Sequence, residues 1–338
     1  MTADTVTRIA LACPACATAL TDPGRCTGCG REFELVAGLP DLRLEYPDPT
    51  VSWEEDNARA RELAAAAERL DFAGLLRLHW QMSDRPAALA ERFVASDLGA
   101  VARSNEYLDA IEEARGRPLG PEDALLEVGC GTAPLALAAA ARGCEVAATD
   151  ISMRWIVLAR KRLAETTSAR IALVCSSAEQ APFPEGSFDV VAASDVIEHA
   201  ERQSDFVSGC ARMLKPGGIL FLATPNRFSL GLEPHVRLWG VGFLPRPLAK
   251  RYVKSVRKTG YDHVHLHSAL GLHRLLRSAG LTPHIVPPKI PAASQDLYRG
   301  LELRLVRSYN LLRRYAPVRA GLLAVGPFFH VFARKGPS

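Results

Sequence analysis

A glycine-rich turn between two apolar segments constrains the fold of this chain more than any other feature. Leu125–Val128 is a short, largely apolar segment, and Gly129 and Gly131 follow it. Glycine lets the backbone turn tightly and approach a ligand where a Cβ would intrude. Pro134 suits the first position of a helix, because its missing N–H would have no partner there. These residues predict a strand, a turn that can lie against a ligand, and a helix.

A carboxylate follows this turn at a spacing typical of nucleotide-binding proteins. Cys144–Thr149 is a second, largely apolar segment, and Asp150 follows it directly. A carboxylate about 20 residues beyond such glycines can accept hydrogen bonds from ribose hydroxyls. A glycine pair alone is a weak signal, so the prediction depends on the residues that follow.

Apolar segments alternate with helical periodicity through residues 121–225. Asp189–Ala193 is a short apolar run of the kind that is buried in a parallel sheet. Phe206–Leu214 repeats apolar residues at helical spacing, and Lys215–Gly218 turns the chain into the apolar segment Ile219–Ala223. This alternation predicts a doubly wound parallel sheet that binds ligands at the carboxyl ends of its strands. The residues at such ends are Gly129, Asp150, Ser177 and Asp195.

Six motifs in this order resemble the motif series of class I S-adenosylmethionine (SAM)-dependent methyltransferases. They are Glu127–Thr132, Asp150, Ser177–Phe183, Phe188–Val191, Asp195–His199 and Leu214–Gly218. Within that class the sequence is most similar to small-molecule O-methyltransferases of the ubiquinone-biosynthesis kind. The resemblance implies a Rossmann-like α/β fold with a seven-stranded sheet, an antiparallel closing strand, and SAM as the cofactor.

The resemblance also assigns the cofactor contacts. Asp150 would hold the ribose, and Ser177 stands where relatives usually carry an aspartate that accepts from the adenine amino group. A serine hydroxyl can still accept, but it is neutral and reaches less far. Ala133 stands where many relatives have a third glycine. The predicted cofactor-binding residues are Glu127, Gly129, Cys130, Gly131, Asp150, Ile151, Ser177, Ala178 and Asp195.

Histidines are the candidate bases for methyl transfer. A hydroxyl acceptor is helped by a base with a pKa near neutral, and histidine is the usual choice. The resemblance places His199 beside the transferred methyl group; the alternative is a histidine that only packs against the cofactor loop. His263 matches a histidine common in relatives, and His235 completes the predicted catalytic set.

Three histidines alternate along the chain at residues 263, 265 and 267. On an extended segment His263, His265 and His267 would share one face. Together with His235 and Glu198 they could bind a metal or an anionic substrate.

Four cysteines form two CxxC knuckles within the first thirty residues. Cys13, Cys16, Cys26 and Cys29 can present four thiolates to one Zn²⁺, and the segment resembles short zinc ribbons found ahead of some rRNA methyltransferases. A disulfide pair or a redox CxxC are the alternatives. Four thiolates leave no open coordination position, so the expected role is structural or partner-binding. Metal binding would supply the folding energy of so small a segment.

The sequence predicts three regions: a zinc ribbon over residues 1–45, a linker and helical cap over 46–120, and a methyltransferase domain over 121–338. The linker includes Pro47–Pro49, and helix breaks are expected at Gly74, Pro86 and Gly99. Trp80, Phe93 and Tyr107 could line a substrate pocket or be ordinary packing residues.

Insertions are expected at residues 228–262 and 292–323, before and after a predicted helix (Ser268–Gly280) and strand (Leu281–Val286). Phe328–Ala333 is the expected closing strand. Both insertions are basic, which suits an acidic or carrier-bound acceptor, a membrane surface, or simply a solvated helix face. Their cationic residues are Arg246, Lys250, Arg251, Lys254, Arg257, Lys258, Arg299, Arg304, Arg307, Arg313 and Arg314.

Composition limits the remaining classes of function. The chain has 338 residues, 48% of them hydrophobic, and a formal net charge of +4. This charge is too small to require nucleic acid as a partner. Met1–Leu11 lack the features of a secretory signal, and no apolar run approaches the ~20 residues that span a bilayer, so a cytoplasmic location is expected.

The favoured function is SAM-dependent methyl transfer to a small-molecule or carrier-bound acceptor, most readily at oxygen. An rRNA or tRNA base methyltransferase is the first alternative, which the ribbon favours and the modest charge opposes. The second is a protein of this fold that catalyses a different reaction or serves as a partner-binding subunit, since fold does not fix chemistry. A protein partner could bind the zinc ribbon.

Overall fold

A computed structural model describes residues 9–46, 51–83, 86–290 and 300–337 of the chain. Pro47–Pro49 and Arg299, which the sequence analysis singled out, lie outside the described residues. The chain divides into two compact units. The first comprises Met1–Ala192 and Arg212–Gly218, and the second comprises Ala193–Ala211 and Ile219–Ser338.

A short hairpin and four helices precede the main sheet. In the hairpin, β1 (Leu35–Val36) pairs antiparallel with β2 (Leu39–Pro40). The helices are α1 (Trp53–Ala66), α2 (Phe72–Gln81), α3 (Ala87–Leu98) and α4 (Ala100–Arg115).

The breaks between these helices agree with the prediction at Pro86 and Gly99 but not at Gly74. Gly74 lies in the first turn of α2, where its N–H donates to the side chain of Asp71. An aspartate at this position satisfies a backbone donor that the helix itself leaves unpaired. The predicted break at Gly74 is therefore wrong, because Asp71 is the N-cap of α2 and the helix begins at Phe72, ahead of the glycine.

Seven strands form one sheet in the order β5-β4-β3-β6-β7-β9-β8. β3 pairs in parallel with β4 and β6, whereas β9 pairs antiparallel with β7 and β8. This order confirms the doubly wound seven-stranded sheet with an antiparallel closing strand. The strands are β3 (Ala124–Val128), β4 (Glu145–Asp150), β5 (Ile171–Cys175), β6 (Phe188–Ser194), β7 (Leu214–Pro225), β8 (Leu281–Val286) and β9 (Phe328–Lys335).

The central strands are buried because helices cover them in the βαβ crossovers. Leu125 and Leu126 of β3, and Val190 and Val191 of β6, have no exposed surface. Continuous apolar runs of this kind are what a parallel sheet covered on both faces requires. The crossover helices of the first unit are α5 (Pro134–Ala141) and α6 (Met153–Thr166).

The second unit includes residues 228–262 and, of the second predicted insertion, the described residues 300–323; residues 292–299 lie outside the described residues. Residues 228–262 contain a 3-10 turn (Val241–Phe243) and a basic helix. The predicted helix over Ser268–Gly280 is confirmed, with Ser268 as its N-cap. No helix within the described residues is both long and apolar enough to cross a membrane. The helices of this unit that follow α7 (Gln203–Met213) are α8 (Arg246–Arg257), α9 (Ala269–Ser278), α10 (Gly300–Leu312) and α11 (Ala316–Val325).

Candidate functional site

The side chain of Glu127, at the end of β3, supports the glycine turn. It is buried and accepts hydrogen bonds from the N–H groups of Leu135 and Ala136, at 3.4 and 2.7 Å. These donors belong to the first turn of α5, which leaves such N–H groups without intrahelical partners. Burial raises the pKa of Glu127 to about 8. Glu127 therefore fixes the helix that follows the turn.

Gly131 and Asp150 come together at the carboxyl ends of β3 and β4, as predicted. The N–H of Gly131 donates to Oδ2 of Asp150, and the N–H of Ser152 donates to Oδ1, both at 2.9 Å. A Cβ built on Gly131 would meet no described atom within 4 Å, so open space lies against the backbone there. Each carboxylate oxygen keeps acceptor capacity for a ligand hydroxyl. Burial raises the pKa of Asp150 to about 6.

Ala133 adopts a left-handed conformation, with φ of 54°, directly before α5. For a residue with a Cβ this conformation costs about 1–2 kcal/mol relative to the right-handed one, whereas glycine tolerates it. The glycine that many relatives carry at this position therefore matches a requirement of the backbone, which this chain meets with some strain.

Two buried hydroxyl groups lie at the carboxyl ends of β4 and β5, close to Asp150. Thr149 precedes Asp150, and the N–H of Ser176 donates to the backbone carbonyl of Asp150 at 3.0 Å. The hydroxyls of Thr149 and Ser176 are buried and have no hydrogen-bond partner among the described residues. The motif pattern predicts the half-buried Ser177 as a cofactor contact and gives no signal for its neighbour Ser176. A buried hydroxyl without a partner is a candidate ligand contact, because an unmade hydrogen bond is costly.

The predicted catalytic histidines lie together within the second unit. His199 belongs to a 3-10 turn, Ile197–His199, that follows β6. The rings of His199 and His235 meet edge to face with centroids 4.9 Å apart, and the rings of His199 and His263 stack at 6.2 Å. The three histidines form one cluster, although 64 residues separate the first from the last in the chain.

Glu233 orients His235 within this cluster. The Nδ1 atom of His235 lies 2.5 Å from Oε1 of the buried Glu233, whose other oxygen accepts from the N–H of Val236. Burial opposes the charge on His235, but the hydrogen bond and charge of Glu233 outweigh it and raise the pKa of His235. The imidazole is thus held by a carboxylate, an arrangement that can tune the pKa of a histidine.

The surroundings of Glu198 and His199 shift the pKa values of both side chains, and the pKa of His199 moves in the opposite direction from that of His235. Burial, together with His235 and His263, lowers the pKa of His199 to about 4. Burial and the charge of Asp195 raise the pKa of Glu198 to about 7. One oxygen of Glu198 accepts from the hydroxyl of Thr224 at 3.0 Å, and the other lies 4.0 Å from Nε2 of His235.

The alternating histidines have separate partners. His263 stacks on His199, whereas Nε2 of His265 lies 3.0 Å from Arg246, and Nε2 of His267 lies 2.6 Å from Oε1 of Gln203. They do not act as one ligand set. A divalent cation could instead be held by Glu198, His199 and His235, each of which places one ligand atom within 4.8 Å of the others.

Residues 126–222 match a protein-family model that is described as a methyltransferase domain. This chain carries a methyltransferase domain. The resemblance drawn from the six sequence motifs is thereby confirmed. The matched region of the methyltransferase domain contains Gly131, Asp150 and His199, whereas Glu233 and His235 lie beyond it.

Known relatives resemble this chain over about half its length. A ubiquinone biosynthesis O-methyltransferase of Dechloromonas aromatica is 39% identical over 163 residues, which cover 47% of this chain and 64% of the relative. The protein of the same name from Thiobacillus denitrificans is 30% identical over 158 residues, covering 46% and 63%. The chain thus spans less than two thirds of the length of these relatives.

Solved structures show a limited overall similarity. Phosphoethanolamine N-methyltransferase 2 of Haemonchus contortus, in complex with SAM, is 21% identical, with a TM-score of 0.45, and the match covers 69% of this chain and 53% of that one.

Ahead of the methyltransferase domain, the four N-terminal cysteines lie together. The Sγ atoms of Cys13 and Cys29 are 3.8 Å apart and those of Cys16 and Cys26 are 3.5 Å apart, and all four cysteines are free thiols. Thiolates about 2.3 Å from a tetrahedral Zn²⁺ would be about 3.8 Å from one another. The donor set therefore fits zinc, and these distances are far from those of disulfides.

The aromatic residues of the helical region ahead of the methyltransferase domain pack on one another. The rings of Trp80 and Phe93 stack with centroids 4.6 Å apart, and Trp155 of α6 lies 5.8 Å from Trp80. This geometry favours the interpretation of Trp80 and Phe93 as packing residues. Tyr107 is half-buried on α4, and its role in a substrate pocket stays a prediction.

Proposed function

We propose that this chain transfers the methyl group of SAM to an oxygen atom of a small or carrier-bound acceptor. The observation that carries the proposal is the Asp150 carboxylate, held by the N–H groups of Gly131 and Ser152 inside the matched methyltransferase domain. The curated relatives are named as O-methyltransferases, which favours oxygen as the acceptor atom. When bound, SAM supplies a methyl group that is already activated by the sulfonium.

The residues predicted at the carboxyl ends of the strands would bind the cofactor. Asp150 would accept hydrogen bonds from the ribose hydroxyls, and the exposed backbone at Gly131 leaves space for close approach. The buried hydroxyl of Ser176 offers the adenine a contact beside the neutral Ser177. The remaining predicted contacts are Glu127, which supports the turn, and Gly129, Cys130, Ile151, Ala178 and Asp195.

The histidine cluster would take the acceptor proton. A base must be neutral to accept a proton and basic enough to keep it, so its best pKa is near the working pH. His235, whose pKa is raised through Glu233, meets this requirement better than His199, whose pKa is about 4. We therefore assign the role of general base to His235, with His199 as a neutral neighbour and His263, which stacks on His199, as a second contact for the acceptor.

Loss of the Asp150 carboxylate should weaken cofactor binding. Because a charged hydrogen bond contributes about 1.5–3 kcal/mol, Asp150→Ala should raise the Kd of SAM by about tenfold to a hundredfold. In the unaltered protein, SAM binding should weaken as the pH falls through about 6, where Asp150 becomes protonated. Calorimetric titration with SAM and with its demethylated product measures both effects.

The matched control is Asp109→Ala, which removes an exposed carboxylate of α4 that pairs with Arg142. It should leave the Kd unchanged. If the unaltered protein bound neither SAM nor its product, the interpretation as a non-methylating or partner-binding protein would replace this proposal. Stimulation of turnover by RNA with a steep salt dependence would favour the nucleic-acid alternative.

The first insertion favours an acceptor presented at an anionic membrane surface. Residues 235–261 contain no Asp or Glu, and Trp239 and Phe243 are 59% and 45% exposed. Exposed aromatic side chains beside cations suit the interface of a membrane that contains anionic lipids. The seven cations of this segment are Arg237, Arg246, Lys250, Arg251, Lys254, Arg257 and Lys258.

Vesicle binding tests this assignment. The protein should sediment with phosphatidylglycerol-containing vesicles and not with pure phosphatidylcholine vesicles, and high salt should release it. The double variant Trp239→Ser with Phe243→Ser should bind several-fold less, because it removes exposed apolar area. Leu35→Ser, which alters an exposed leucine of the N-terminal hairpin, is the control. Sedimentation with neither lipid would reject the membrane and leave a solvated helix face, and equal sedimentation with both would reject the requirement for anionic lipid.

A further inference from the structure

Arg43 is a buried charge in the segment between the N-terminal hairpin and α1. Its side chain is fully buried. The guanidinium bonds to the carboxylates of Asp41, at 2.6 Å, and of Asp56 on α1, at 2.8 Å. It also donates to Oδ1 of Asn57 at 2.6 Å. The rings of Tyr46 and Trp53 lie 4.8 and 5.0 Å from its Cζ atom.

Arg43 and Asp56 form hydrogen bonds with the backbone of the turn that follows Asp150. Nη1 of Arg43 donates to the backbone carbonyl of Ile151 at 2.9 Å, and Oδ2 of Asp56 accepts from the N–H of Met153 at 2.7 Å. The two contacts lie on either side of Ser152, whose own N–H donates to Asp150. The peptide groups that flank Ser152 are therefore both fixed by the buried ion pair.

A buried ion pair of this kind is weak evidence for a purely stabilising role. Desolvation of the charges offsets much of their attraction, and apolar residues of similar volume often stabilise a fold as well. What an apolar residue cannot do is donate to a carbonyl and a carboxylate at once. Arginine presents five donors in a rigid fork, which lets one side chain hold several acceptors in fixed positions.

We infer that Arg43 is a positioning residue of the cofactor site, acting through Ile151 and Met153 on the carboxylate of Asp150. The inference rests on the proposed function. It extends the cofactor site to Asp41, Arg43 and Asp56, which lie outside the matched methyltransferase domain. These three residues thus contribute to SAM binding, and the affinity of the methyltransferase domain for SAM depends on them.

The test compares Arg43→Lys with Arg61→Lys, which alters an exposed arginine of α1 paired with Glu34. Lysine keeps the charge at position 43 but cannot reach Asp41, Asp56 and Ile151 together. Arg43→Lys should raise the Kd and KM of SAM about tenfold, while kcat at saturating SAM and the KM of the acceptor stay unchanged. Arg61→Lys should change none of these.

A second measurement uses only the unaltered protein, so it does not require the Arg43→Lys variant to fold. Hydrogen exchange of the full-length unaltered protein, with and without the demethylated cofactor, should show slower exchange at Met153 and also across residues 41–46 on binding. Unchanged exchange in 41–46, or an Arg43→Lys protein that melts lower but binds SAM with unaltered Kd, would overturn the inference. The unaltered protein is titrated first, because its failure to bind SAM refutes the proposed function and not the role of Arg43 alone.

Discussion

Replacing His235 with glutamine is expected to lower the turnover of methyl transfer by about 10²- to 10⁴-fold, the range that a positioned general base contributes. Glutamine retains a similar volume and a hydrogen bond to Glu233 but cannot take a proton at neutral pH. The Kd of SAM should stay unchanged, because Asp150 and Gly131 provide the proposed cofactor contacts. Single-turnover kinetics at saturating SAM measures the effect.

The pH profile separates His235 from His199 as the base. Because the pKa of His235 is raised above 6.5, the neutral base is lost as the pH falls through that higher value, and turnover should fall with it. A base with the pKa of His199, about 4, would stay neutral from pH 5.5 to 8 and give a flat profile. The acidic limb should disappear in His235→Gln.

Glu198 is the matched control for this assignment, because its pKa of about 7 could produce a similar limb. Glu198→Gln keeps an acceptor for the hydroxyl of Thr224 and should retain the limb. Full turnover in His235→Gln, or loss of the limb only in Glu198→Gln, would move the base to another residue. Loss of all activity with EDTA in protein whose ribbon retains its zinc, restored by a divalent cation, would instead assign Glu198, His199 and His235 to a metal.

The cofactor turn could be predicted from the sequence because its determinants are local. Gly131 and Asp150 are positioned by the ends of two short apolar segments, and Pro134 begins the helix between them. The carboxyl ends of adjacent parallel strands lie at the same edge of a sheet, so the strand pattern alone brings these residues together.

The roles of His235 and Arg43 depend on contacts that no local pattern specifies. The sequence included His235 in the catalytic set but favoured His199 beside the methyl group, because the 2.5 Å contact of His235 with Glu233 and the burial of His199 are not visible in it. Arg43 donates to a carbonyl 108 residues away, so nothing near it in the chain marks it as part of a site. Periodicity predicts which face of an element is buried but not which charges meet there.

Removing zinc from the N-terminal ribbon should unfold it, and a Cys16→Ser, Cys26→Ser double variant should do the same. We propose that Cys13, Cys16, Cys26 and Cys29 hold one Zn²⁺ per chain, since their sulfurs lie at tetrahedral spacing. Apparent binding free energies of structural zinc are about 10–16 kcal/mol, and in so small a segment this is the free energy of folding. Metal analysis should find about one zinc per chain, and limited proteolysis should cut residues 12–34 only after chelation.

The effect of zinc loss should reach the cofactor site, because residues 12–34, which include the four cysteines, lead directly into the segment that carries Arg43. The N–H of Asp41 donates to the carbonyl of Glu34, and the side chain of Glu34 accepts from Asn57, a partner of Arg43. The zinc-free protein should therefore bind SAM several-fold more weakly, whereas Cys144→Ser, at a buried cysteine outside the ribbon, should retain both zinc and SAM affinity. If the double variant keeps its zinc, the ligand assignment is wrong. If it loses zinc and still binds SAM with unaltered Kd, the ribbon folds independently of the cofactor site and is free to serve a partner protein.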